Sequence, residues 1–148
     1  MAYIDLQVNG YAGVDFNGDD LTADGLHRAC AQLERDGTGR ILATVITDHL
    51  PVMAARLRRL VELRQRDQLA RRIIAGLHIE GPFISHDDGY RGAHPADAVR
   101  PADPDAMRQL LDAGDGLVRI VTLAPEQDHH AKTTASLASN TTWPHNRS

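Results

Sequence analysis

Apolar residues recur along this chain in two alternating rhythms, short unbroken runs and longer stretches at helical spacing, and the alternation repeats four times. Tyr3 to Asn9 reads as a first strand, followed by a glycine-rich bend through Gly10 and Gly13. A helix comes next. Thr22 is placed to accept a bond from a free backbone N–H, Leu26, Ala29, Cys30 and Leu33 form the apolar stripe, and Gly37 and Gly39 end it. Ile41 to Thr47 is short and almost wholly apolar, the pattern of a strand covered on both faces, and a second helix starts near Pro51. Ile73 to Ile79 gives a third strand that runs straight into Glu80-Gly81-Pro82-Phe83. After a long loop, Asp103-Pro104 opens a third helix whose buried stripe is Met107, Leu110 and Leu111, with Gly114 as its stop. Val118 to Leu123 is the fourth strand, and Gln127 to Ala138 a short fourth helix.

Strands alternating with helices imply an α/β fold with a parallel sheet of four β/α units. An eight-unit barrel takes ~250 residues, so four units amount to about half of one. The sheet of such a half ends in two unpaired edges, which invite a homodimer through the open barrel edges. An open, doubly wound sheet is the other arrangement, but no glycine-rich nucleotide fingerprint joins a strand to a helix.

Composition narrows the partners. With 148 residues, 42% of them hydrophobic, the chain suits a single domain with a real core, and a formal charge of -4 gives no reason to expect nucleic acid or an anionic membrane. A small molecule is the expected partner. Fifteen of the sixteen basic residues are arginines, and seven of these fall between Arg56 and Arg72. Because Leu57, Leu60 and Val61 recur there at helical spacing, the arginines are read as the wet face of an amphipathic helix. No apolar run approaches the roughly 20 residues of a membrane helix. Cys30 has no partner for a disulfide, and the start MAYIDLQVNG has no secretion pattern, so a cytoplasmic setting is expected.

Most candidate chemistry lies just after strand ends, where the loops of parallel α/β folds gather around ligands. His78 and Glu80 are two apart on one strand and so share a face, with Glu80 at the carboxyl end, where a metal ligand or a structural acceptor would sit. His78 alone reads as a hydrogen-bonded core group. Gln7 and Asn9 show the same spacing, and as neutral amides they suit a substrate polar group or a bound water better than a metal. Arg91-Gly92-Ala93-His94-Pro95 follows the third strand, where a glycine permits close approach and a histidine offers a donor. His129 and His130 are expected on the surface and pointing apart, while His27, His49, His86 and His145 have no partner at useful spacing.

Taken in order, Ile4-Asp5-Leu6-Gln7-Val8-Asn9-Gly10, Gly13-Val14-Asp15-Phe16, Gly76-Leu77-His78-Ile79-Glu80-Gly81-Pro82-Phe83, Gly92-Ala93-His94-Pro95 and Thr122-Leu123-Ala124-Pro125-Glu126 resemble the N-acetylglucosamine-6-phosphate deacetylases of the amidohydrolase superfamily. The resemblance covers residues 3 to 138. It implies a partial TIM-like (β/α) barrel and, for the whole enzyme, hydrolysis of the N-acetyl group of a sugar phosphate by one divalent metal ion, zinc, iron or similar. Glu80 matches the metal-binding glutamate, and Ala93 and His94 match the loop that contacts the sugar. Gln7 and Asn9 stand where some members carry a Gln-Xaa-Asn pair and others a pair able to hold a second metal, and the version here implies a one-metal site. Thr47 ends the second strand much as in the family.

The two metal-binding histidines and the catalytic aspartate that the resemblance implies on later strands have no counterpart, so no residue here is assigned as catalytic and weak or absent metal binding is expected. Residues 139–148 read as a divergent polar tail following the half-barrel of residues 1–138, in the manner of a truncation or a shifted reading frame. Two other functions fit the same pattern: a non-catalytic half-barrel that binds or assembles, and an amidohydrolase for another amide, such as a cyclic one.

Overall fold

A computed structural model describes residues 3–139. Four strands, β1 (Tyr3–Val8), β4 (Thr38–Ile46), β5 (Ile74–Glu80) and β6 (Val118–Thr122), form one sheet in the order β1-β4-β5-β6, and every pairing in it is parallel. A separate two-stranded hairpin, β2 (Gly10–Tyr11) with β3 (Val14–Asp15), fills the bend after β1. The helices are α1 (Ala23–Arg35), α2 (Leu50–Arg66), α3 (Gln68–Ile73), α4 (Asp88–Arg91), α5 (Pro104–Ala113) and α6 (Lys132–Ser139).

Local signals set the helix starts. Thr22 accepts from Gly25 N at 3.1 Å to cap α1, and Asp103 accepts from Ala106 N at 2.7 Å to cap α5, whose first position is Pro104. The arginine-rich stretch is two helices rather than one. Asp67 breaks it by accepting from Leu69 N and Ala70 N at 2.7 and 3.1 Å, which starts α3. Five of its seven arginines are exposed, as their helical spacing implies, and Arg56 and Arg64 are half-buried. Arg64 Nε donates to the Ile74 carbonyl at 2.8 Å, and Arg59 donates twice to the Leu21 carbonyl at 3.2 Å, so both pin backbone to the helix layer.

The fourth helix also begins later than its sequence pattern implies. His130 and Ala131 have φ of 58° and 52°, a left-handed break that leaves two short 3-10 turns before α6. Asp128 then caps α6 through Thr133 N and Thr134 N. The expected polar tail lies outside the described residues except for Ser139, which ends α6.

Alternate residues of the strands serve two different surroundings. Ile41, Ala43 and Val45 of β4 and Leu77 and Ile79 of β5 are wholly buried, packed with Leu26, Cys30, Met53, Leu57 and Leu60 from the helices. Each such side chain contributes ~1.5–3 kcal/mol by leaving water. The residues between them point the other way. Register pairs Thr44 with His78 and Ile46 with Glu80 across β4 and β5, then His78 with Ile120 and Glu80 with Thr122 across β5 and β6. A polar row therefore crosses the sheet and ends, at its carboxyl edge, on Glu80.

Candidate functional site

Glu80 is the last residue of β5, and its side chain is 19% exposed, so the carboxylate is held by the fold yet reachable from the mouth of the sheet. The next residue ends the strand. Gly81 has φ +82°, and a Cβ at that position would collide with Thr47 Oγ1, so glycine is required on both conformational and steric grounds. Thr47, buried at the end of β4, donates from Oγ1 to the Glu80 carbonyl at 3.1 Å, and Gly81 N donates to the Thr122 carbonyl at 3.1 Å. The backbone around Glu80 is thus tied to both neighbouring strands.

The carboxylate itself meets two side chains. Gln7 Nε2 donates to Oε2 at 2.9 Å across 73 residues of sequence, so the amide of β1 and the carboxylate of β5 share one face. On the other oxygen, His94 Nε2 stands 3.9 Å from Oε1, too far for a hydrogen bond and close enough for both to reach one small group. Asn9 directly follows β1 and is exposed, as Gln7 is, with the buried Val8 between them. β1 ends at Val8 after a register shift between Asp5 and Val8, and it is the Asn9 carbonyl that bonds, accepting from Phe16 N at 3.0 Å. Ala93 lies exposed in the loop beside His94, between Gly92 and Pro95.

Beneath Glu80, His78 is 4% exposed and clasps three strands: Nε2 lies 2.8 Å from Thr122 Oγ1, Nδ1 lies 3.4 Å from Thr44 Oγ1, and the backbone of Leu6 also bonds it. Burial pushes its pKa below the ordinary 6.5, against the pull of the Glu80 charge and the Leu6 bond, so the ring favours its neutral form. One supporting residue escapes a reading of spacing alone. Asn17 is buried, its Nδ2 donates to the Thr44 carbonyl at 3.0 Å, and its Oδ1 accepts from Ile46 N at 3.0 Å, which locks the loop after β3 onto the end of β4. A polar residue directly after the buried Phe16 was the available signal.

The remaining described histidines are peripheral, and His145 lies outside the described residues. His27 Nδ1 meets Asp67 at 2.7 Å, a long-range partner invisible to local spacing, and His49 lies 3.6 Å from Asp97. The rings of His129 and His130 do not point apart as expected but sit 3.9 Å from one another, because the left-handed φ of His130 turns its side chain back. A cleft lined by Phe16, Leu21, Pro51, Val52, Arg56 and Arg59 contains none of the Glu80 corner.

A divalent ion needs more than this corner offers. Among the described residues no three His, Cys, Asp or Glu side chains gather so as to hold a metal, whereas catalytic zinc sites use three protein ligands as a rule. The donor set fits one carboxylate ligand with an imidazole nearby, not a complete metal centre.

No family model matches the chain. Curated relatives do. It is 33% identical over 127 residues to the N-acetylgalactosamine-6-phosphate deacetylase of Escherichia coli, covering 86% of this chain and 32% of that protein. It is 33% identical over 129 residues to the N-acetylglucosamine-6-phosphate deacetylase of Bacillus subtilis, and 34% identical over 140 residues to that of Bos taurus, covering 86% and 93% of this chain. Among solved structures, a variant of the Mycobacterium smegmatis N-acetyl-D-glucosamine-6-phosphate deacetylase, in complex with N-acetyl-D-glucosamine-6-phosphate, superposes with a TM-score of 0.80 at 30% identity, covering 93% of this chain and 34% of that one. The Pasteurella multocida enzyme superposes at 0.75 with 28% identity, over 93% of this chain and 34% of its own. The chain spans about a third of the length of the relatives it matches. In sequence and in fold, then, it is similar over most of its length to one stretch of the N-acetylglucosamine-6-phosphate deacetylases, a parallel part of their barrel.

Proposed function

We propose that this chain carries the carboxylate corner of a site that removes the acetyl group from an N-acetylated amino-sugar 6-phosphate, with N-acetylglucosamine 6-phosphate as the preferred substrate. The observation that carries the reading is the Glu80 carboxylate at the carboxyl end of β5, fixed by Gln7 on one oxygen and approached by His94 on the other. Glu80 is the one ligand these residues offer a divalent ion, whose part in such a hydrolysis is to polarise an amide carbonyl and acidify a water. Gln7 orients the carboxylate, and Ala93 and His94 form the sugar-facing loop. The 148-residue chain on its own is expected to show no turnover, because Glu80 alone falls short of the ligands such an ion needs.

A cytoplasmic setting accompanies this reading, since the sole thiol is buried and calls for no oxidising compartment, and no helix among the described residues is long and apolar enough to cross a membrane. The half-bonded edges of the sheet fit association with a second copy.

The direct test replaces the matched stretch of the Bacillus subtilis relative with residues 3–138 of this chain and measures acetate release. Release from N-acetylglucosamine 6-phosphate, faster than from the galactosamine epimer and abolished by Glu80→Gln in an equally folded hybrid, is expected. A folded hybrid whose rate ignores Glu80→Gln would overturn the assignment.

A further inference from the structure

His94 reaches the Glu80 corner from a loop, and the loop has to hold it there. Its ring takes part in no hydrogen bond among the described residues and stands 3.9 Å from Glu80 Oε1, so its place is set through the backbone. Both backbone groups of His94 bond to one residue. His94 N donates to the Arg91 carbonyl at 3.4 Å, and Arg91 Nη1 donates back to the His94 carbonyl at 2.7 Å. The first bond closes a four-residue turn. Its second residue, Gly92, has φ 62° and ψ -136°, the angles of the first central position of a type II′ turn, which a residue with a Cβ enters only under strain.

Arg91 is not a surface arginine that happens to touch this turn. Its side chain is 19% exposed against 92% for Asp88, to which Nη2 also donates, and its Nε is buried without an acceptor among the described residues. An ion pair with so exposed an acid contributes little, and a buried N–H without a partner opposes the placement. The bond to the His94 carbonyl is what holds the guanidinium inward. The far end of the loop is fixed separately, by the buried Ala98 and Val99 and by Arg100 N, which donates to the Pro82 carbonyl at 3.1 Å. Between that anchor and α4, Arg91 is the clamp.

We propose that Arg91 is a positioning residue of the site: by holding both backbone groups of His94 it sets the imidazole beside Oε1, the Glu80 oxygen that Gln7 leaves free, where ring and carboxylate can meet one substrate group. The role rests on the proposed function, under which that substrate is the N-acetylated sugar phosphate. Because the guanidinium is spent on the loop, its effect on substrate passes through His94.

The chain itself tests the geometry. A nuclear Overhauser contact between the His94 ring and the Glu80 side chain is expected in the 148-residue chain and in Asp88→Asn, and is expected to vanish in Arg91→Met with the other amide signals in place. The hybrid with the Bacillus subtilis relative tests the kinetics. There Arg91→Met is expected to raise KM for N-acetylglucosamine 6-phosphate roughly tenfold or more while kcat stays within about threefold, the mark of lost substrate binding. In a His94→Gln background the same substitution is expected to raise KM no further, since a group that acts only through His94 has nothing left to place. Arg91→Lys, with one donor in place of the fork, is expected to fall partway and serves if Arg91→Met does not fold. A contact that survives in Arg91→Met, a wild-type KM in a folded Arg91 variant, or a loss that adds in full to that of His94→Gln would each overturn the proposal. A hybrid rate that ignores Glu80→Gln sinks the deacetylase reading instead, and the ring contact alone then decides what Arg91 holds.

Discussion

The two faces of the sheet use the same strands for opposite ends. On the helix side, Ile41, Val45, Leu77 and Ile79 meet only apolar neighbours and have no access to water. On the other side, one residue further along each strand, the His78 ring joins Thr44 to Thr122, and Glu80 stands beyond it at the strand end as a reachable carboxylate. A period of two lets stability and chemistry be written into alternate letters of a single seven-residue strand. Substitutions on the two faces are therefore expected to separate, with large losses of stability on one and small losses on the other.

The largest effect is expected from Leu77→Ala, which opens a cavity in the middle of the helix side and costs ~2–5 kcal/mol in chemical denaturation. A cost close to zero would mean that the core lies elsewhere. Gly81→Ala comes next, at roughly 1–3 kcal/mol, because it sets a Cβ on a left-handed backbone and against Thr47. Adding Thr47→Ala separates the two causes: it relieves the collision and leaves the backbone strain, so partial recovery is the expected outcome.

A pH effect is next in size. His78 has a folded pKa below the ordinary 6.5, so above that value both folded and unfolded chains carry it neutral and it imposes no penalty. As pH falls below about 6.5 the unfolded chain takes up a proton that the folded chain refuses, and stability declines until the folded pKa is passed. Denaturation midpoints that fall between neutral and mildly acidic pH, with a shallower fall in His78→Gln, are the expected result. The smallest effect belongs to Gln7→Ala, whose bond to Glu80 lies at the exposed mouth, and a change within ~0.5–1.5 kcal/mol is expected.

How much of this was legible in the sequence depended on how local each cause was. The four strands, the caps at Thr22 and Asp103 and the place of Glu80 come from periodicity and from residues within a few positions of one another. The hairpin β2–β3 did not, because its turn puts Ala12 at φ 51° before Gly13 at φ 77°, and alanine gives no warning of a left-handed turn. The break at Asp67 was readable as a cap but was masked by continuous helical spacing on both sides. His27 with Asp67, forty residues away, had no local signal at all. At the site, the facing of Glu80 and Gln7 came from strand-end position.

The central claim is that Glu80 presents a metal-binding carboxylate at the mouth of the sheet, beside Gln7 and His94. Paramagnetic broadening of backbone amide signals by manganese(II), recorded on the uniformly labelled chain and on Glu80→Gln, tests it without needing turnover. Selective loss of signals from residues around Glu80, Gln7 and His94, absent in Glu80→Gln, is the expected result. Broadening centred on other acidic surfaces, or a pattern unchanged by the substitution, would contradict it.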